Sequence, residues 1–118
     1  MAAISAEARA RYHEEMRAAK AATDPSGRWI HLERAHILSQ PAPWLHTRNH
    51  IAMFAFAVQQ RDRREAFGQM IRILVAAPGS LTGRYPEGNT GRAAVGLRQP
   101  MPVPAELRAL LVEDGRTA

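Results

Sequence analysis

The chain has 118 residues, 46% of them apolar and 23% charged, which is enough for one domain with a core of its own. It has no cysteine, so disulfides, thiolate nucleophiles and thiolate metal sites are excluded. Any metal site must use imidazole, carboxylate, amide oxygen or thioether ligands. The formal charge of +5 comes from fifteen arginines and one lysine, yet only Arg61, Arg63 and Arg64 cluster. Basic residues spread this evenly read as solvated helix faces, and nucleic-acid binding ranks last among the functions considered.

The first helix is expected after Ser5, a good N-cap, with Glu7 in its first turn and Ala8, Tyr12, Met16 and Ala19 as its buried stripe. "TDPSG" (23–27) breaks it. A second helix is expected from about Arg28 to Ser39, stopped by Pro41, and a third from about Pro43 to Gln60. Past His50 the third is apolar nearly all round, so it reads as the most buried helix. Its longest apolar run, Ile51 to Val58, is eight residues. A membrane span needs about 20, so no membrane association is expected. The charged start lacks the apolar core of a signal peptide, and the expected address is the cytoplasm. A fourth helix is expected from about Arg63 to Ala77, capped by Asp62, with Phe67, Met70, Ile71 and Leu74 facing inward.

From Pro78 onward the chain carries five of its eight prolines and six of its eight glycines, which rules out one regular helix. It still keeps apolar residues such as Tyr85, Val95 and Val103, so it reads as an ordered, extended arm. A short last helix is expected at about Ala105 to Leu111, followed by a frayed end. One domain over 1–118 results, with a helical body at 1–77, a wrapping arm at 78–104 and the final helix and end at 105–118. "SGRWIHLERAHIL" and "RDRREAFGQMIRIL" start 35 residues apart, near the ~34-residue period of tetratricopeptide repeats. The fold class expected is all-α, two antiparallel helical hairpins of tetratricopeptide-like layout with a Pro/Gly-rich C-terminal arm.

Four of the five histidines, His31, His36, His46 and His50, fall within 21 residues. Glu33 and His36 are three residues apart and His46 and His50 four, so each pair shares a helix face. Two imidazoles at i, i+4 can reach one ion, and Glu-x-x-His does the same with a mixed pair. His36 lies before the tight turn and His46 after it, each at about 5–6 Å along its helix. Glu33, His36, His46 and His50 could therefore face one another across the hairpin and hold a divalent transition metal: Zn, Fe, Cu or Mn. Gln40 and Arg34 would support such a site. Met53 continues the His46/His50 stripe and reads as core rather than as a thioether ligand. His46 is expected near the surface, and His31 and His13 outside the site. Two alternatives stay open beside metal: a polar structural network, and an acid/base site without metal. There is no Gly-x-Ser-x-Gly elbow, phosphate-binding loop or dinucleotide fingerprint. "GNTG" (88–91) is a turn by composition, and Asn89 could line the site if the arm folds back over the hairpin.

"LERAHILSQ", "HTRNH", "RREAFGQMIRI", "GNTG" and "PMPVP", in this order over about residues 26–107, resemble a bacterial family of small proteins catalogued as a domain of unknown function. The resemblance implies no activity. It does imply that Glu33, Arg34, Ala35, His36, His46 and His50 belong to the family's hallmark blocks. This chain departs from the pattern at Ala94, where the family tends to carry Asn.

The leading reading is a small metal-binding protein, for metal homeostasis or metal-dependent chemistry, with the question of catalysis left open. The alternative is a tetratricopeptide-like interaction module that binds a partner protein through Trp29, Trp44 and the Arg61–Arg64 cluster. A homodimer through helix one or helix four is compatible with either.

Overall fold

The computed structural model describes residues 4–97 and 99–112. Among these there are five α-helices and no strand: α1 (Ala6–Ala21), α2 (Pro25–Ser39), α3 (Pro43–Gln59), α4 (Arg63–Thr82) and α5 (Ala105–Val112). The frayed end expected beyond the last helix lies outside the described residues. No described helix is long and apolar enough to cross a membrane.

Local chemistry sets the helix starts. The Ser5 hydroxyl accepts the Ala8 amide at 3.0 Å, and the Asp62 carboxylate accepts that of Glu65 at 3.0 Å. α2 begins at Pro25, three residues before the expected Arg28. Asp24 caps the Gly27 amide at 2.8 Å and Pro25 occupies the first turn, so the break that ends α1 is confined to residues 22–24 and "DPS" already starts the next helix. α3 starts at Pro43 without a side-chain cap.

α4 departs further from expectation. It runs through Pro78 to Thr82, a turn past Ala77, and closes on Gly83 in the left-handed conformation (φ 72°). Tertiary bonds hold the extra turn, because the Ser80 hydroxyl donates to the Gln40 carbonyl at the end of α2. Its buried face is also not the expected one. Phe67, Met70, Ile71 and Leu74 are exposed, while Glu65, Gly68, Gln69, Arg72, Ala76 and Ser80 are buried. The apolar period is genuine, but α4 turns its polar stripe inward, where those groups meet α3 and the segment after α4.

The core has two apolar clusters. One joins Ala8 and Tyr12 of α1 to Ala35, Ile37 and Leu38 of α2, Leu45 of α3, and Leu107 and Leu111 of α5. The other joins Ala19, Trp29, Leu32, Met53, Phe56 and Ala57. The described residues between 83 and 104 have no helix or strand and are tied down by backbone carbonyls. Gln40 donates to the Pro86 carbonyl, Gln69 to that of Gly91 and Arg72 to that of Val95. The Asn89 amide donates to the carbonyls of Gly96 and Gln99, closing the loop on itself.

Candidate metal centre

His36 lies in the last turn of α2, and His46 and His50 lie one turn apart near the start of α3. The tight turn between the helices, closed by the Ala42 amide on the Ser39 carbonyl at 2.8 Å, makes them neighbours. Their three Nε2 atoms form a near-equilateral triangle: 3.1 Å from His36 to His46, 3.1 Å from His46 to His50 and 3.2 Å from His36 to His50. All three residues are buried. His46, expected near the surface, is covered because the extra turn of α4 brings Ser80 against it.

The partners of the opposite ring nitrogens fix the tautomers. His36 Nδ1 lies 2.6 Å from the Asn89 carbonyl, which can only accept, so that nitrogen carries the proton. His50 Nδ1 lies 2.7 Å from Gln69 Oε1. The Gln69 amide nitrogen is committed as donor to Glu65 and to the Gly91 carbonyl, so its oxygen must accept. His46 Nδ1 lies 2.8 Å from the Ser80 hydroxyl, whose own proton goes to the Gln40 carbonyl, so Ser80 accepts as well. Every proton is on Nδ1. Three Nε2 lone pairs therefore point into one small space with no hydrogen between them.

Protonation does not relieve this at neutral pH. Burial holds His36 well below the ordinary histidine range, with the neighbouring His50 and His46 acting in the same direction. Burial and His50 push His46 down to about 3. Burial pushes His50 down to about 4, against the opposing effect of its bond to Gln69. Neutral imidazole is the metal-ligating form. Three neutral Nε2 atoms 3.1–3.2 Å apart form one group of ligating atoms close enough that His36, His46 and His50 could hold one ion between them at imidazole–metal distances of about 2.0–2.1 Å.

A family described as "Protein of unknown function (DUF3703)" matches residues 6–111. The chain belongs to that family. The match takes in all five helices' cores and all three histidines. No curated protein and no solved structure matches the chain.

Of the other residues singled out in this family member, Gln40 and Asn89 adjoin the triad. Asn89 orients His36 through its backbone carbonyl, and the Gln40 backbone carbonyl accepts the Ser80 hydroxyl. Glu33 does not join the histidines. Its carboxylate accepts from Arg92 Nη1 at 3.1 Å, and burial raises its pKa despite that partner. It ends a chain of contacts that runs from His50 through Gln69, Glu65 and Arg92. Arg34 turns away to Glu106 at 2.8 Å and serves the contact between α2 and α5. Met53 is fully buried in the second apolar cluster, and His31 is bonded to Glu15.

Spacing did not point to Ser80, Gln69, Glu65, Arg72 or Gly91. The three orienting groups are a carbonyl, a hydroxyl and an amide from two distant segments, and no local pattern distinguishes them from surface polar residues. Gly91 carried a signal that composition could flag but not interpret. It sits at φ 85°, and a Cβ there would lie 2.6 Å from Cδ2 of His36. The second glycine of "GNTG" therefore lets the loop backbone lie against the imidazole.

Proposed function

We infer that this protein holds one divalent transition metal on His36, His46 and His50. The observation that carries the reading is the convergence of three lone pairs whose tautomers are fixed by outer partners. A structural network would place a proton between at least two of these nitrogens, whereas here each proton is spent on the outer side. Histidine ligands oriented through their other nitrogen by a carbonyl, a hydroxyl or an amide are the usual support of a metal centre. With Glu33 engaged by Arg92, an all-imidazole set favours zinc, copper or iron over manganese. Three protein ligands leave a coordination position for water or a small ligand, which suits metal-dependent chemistry better than a closed structural site.

Metal analysis of tag-free protein, after exposure to each ion and removal of excess, tests this. About one equivalent is expected for the native chain and almost none for the His46→Ala/His50→Ala variant, since one imidazole left from three cannot retain the ion. Equal metal in both proteins, with circular dichroism showing both folded, would sink the reading.

A second reading, a tetratricopeptide-like interaction module, draws support from a different place. A groove of about 600 Å³ is floored by Met16, Leu32 and Phe56 and edged by Arg17, Lys20, Arg28 and Arg48. Trp44 is exposed, while Trp29 is buried with its indole N–H on Gln60. The two readings use separate surfaces.

A further inference from the structure

A cavity of about 420 Å³ is lined by all three histidines, and its charge balance is one-sided. Arg72 and Arg84 line it, and among the described residues no aspartate or glutamate does. The three imidazoles are neutral ligands, so a divalent ion would bring two positive charges that no protein ligand cancels. The buried carboxylate of the neighbourhood, Glu65, is occupied by Arg92, Gln69 and the Ala93 amide. Arg72 is itself buried, its guanidinium fixed by the carbonyls of Gly68 and Val95. The rest of the wall includes Val75, Ala76, Pro78 and Leu97. Cavities of roughly 300–1,000 Å³ with apolar walls and a few fixed polar groups take small organic molecules. We propose that the open position of the metal binds a small organic carboxylate, with Arg72 and Arg84 as countercharges and the apolar wall receiving its hydrocarbon part.

This rests on the metal reading, and cobalt substitution separates the two. Loading with Co²⁺ first reports the metal: no visible absorption and no bound cobalt would overturn both. With cobalt bound, the bands are followed during titration with acetate, butyrate, benzoate and azide. Saturable shifts are expected with the carboxylates, tighter for butyrate and benzoate than for acetate. Arg84→Gln, at the solvent-facing side, is expected to weaken carboxylate binding about fivefold to tenfold without loss of cobalt, as removal of one charged partner does. Arg72→Gln should weaken it further, but its buried bonds make Arg84→Gln the cleaner test. Cobalt bands that ignore every carboxylate, or that respond to azide alone, would overturn the carboxylate proposal and leave the metal centre standing.

A different observation carries a second proposal. Phe67, Met70, Ile71, Leu74 and Leu81 form an exposed apolar stripe along α4, with Phe67 66% and Leu74 78% exposed. Together they present on the order of 500 Å², within the range of the largest patch a monomer leaves exposed and well over half of the ~800 Å² per partner in a standard interface. Phe67 and Leu81 lie seven residues either side of Leu74. An antiparallel second α4 would therefore set each Phe67 against the other's Leu81 about a two-fold axis at Leu74, the self-complementarity that a symmetric dimer requires. The geometry points to a homodimer through α4. Light scattering on the eluting protein should give twice the 13.1 kDa chain mass, and Leu74→Glu should give a monomer that keeps its metal. A native protein monomeric at every concentration, or a Leu74→Glu protein still dimeric, would overturn it; Phe67→Glu repeats the test should the first variant fail to fold.

Discussion

The metal-free protein is expected to lose stability steeply between pH 7 and pH 5. In the folded chain His46 titrates at about 3 and His50 at about 4, because burial disfavours their charged forms. In the unfolded chain both titrate near their ordinary value of about 6.5. Between these limits the unfolded state binds more protons, so stability is fully present above about pH 6.5–7 and falls as acid draws the equilibrium toward unfolding. At pH 5 the linked loss is about 2 kcal/mol for each of the two, hence about 4 kcal/mol together, and the deeply buried His36 adds to it in the same direction. For a chain of this length that lowers the melting temperature by roughly 15 °C. Calorimetry of the chelator-treated protein from pH 7.5 to 5 measures it. The His46→Ala/His50→Ala variant should show a much flatter profile, and zinc should raise the native curve by mass action. A native melting temperature constant over this range would mean that the imidazoles are not held neutral.

Gly91→Ala is expected to damage both stability and metal binding. The backbone there is in the left-handed region at φ 85°, where a side chain costs about 1 kcal/mol or more. The new methyl would also press on three atoms of the His36 ring, at 2.6–2.9 Å. Relieving the overlap shifts either the loop, which carries the Asn89 carbonyl, or the ring itself. Overpacking of this kind adds about 1–3 kcal/mol, so a total loss of about 2–4 kcal/mol is expected. A displaced ring should cost roughly 10- to 100-fold in metal affinity, the range seen when support around a ligand is lost. Thermal melting and competition with a chromogenic chelator read the two effects separately. Gly83→Ala is the matched control. It has φ 72° and nothing within 4 Å of a new Cβ, so it should show only the backbone cost and unchanged metal affinity. Equal behaviour of the two variants would remove the close approach to His36 from the account.

The contrast between α3 and α4 marks how far local pattern reaches. The four-residue interval between His46 and His50 places them on one face, and the prolines at 41 and 43 force a turn tight enough to set His36 opposite. Helix geometry and one short connection suffice for that, so the convergence of these three was legible from spacing. Helix starts were legible for the same reason where a side chain caps its own neighbours, as Ser5 and Asp62 do. The face of α4 was not. Its apolar stripe has a clear period, but a period does not say which side is turned to the protein when the other side carries Glu65, Gln69, Arg72 and Ser80 with partners elsewhere in the chain. Glu33 illustrates the same limit. Its spacing to His36 suits a shared ion, yet Arg92, 59 residues away, takes its carboxylate. Spacing along the sequence determined which groups lie side by side within an element. Tertiary structure alone decided which of them are desolvated, which nitrogen carries each proton, and which carboxylates are already neutralised, because those depend on groups that only folding brings together.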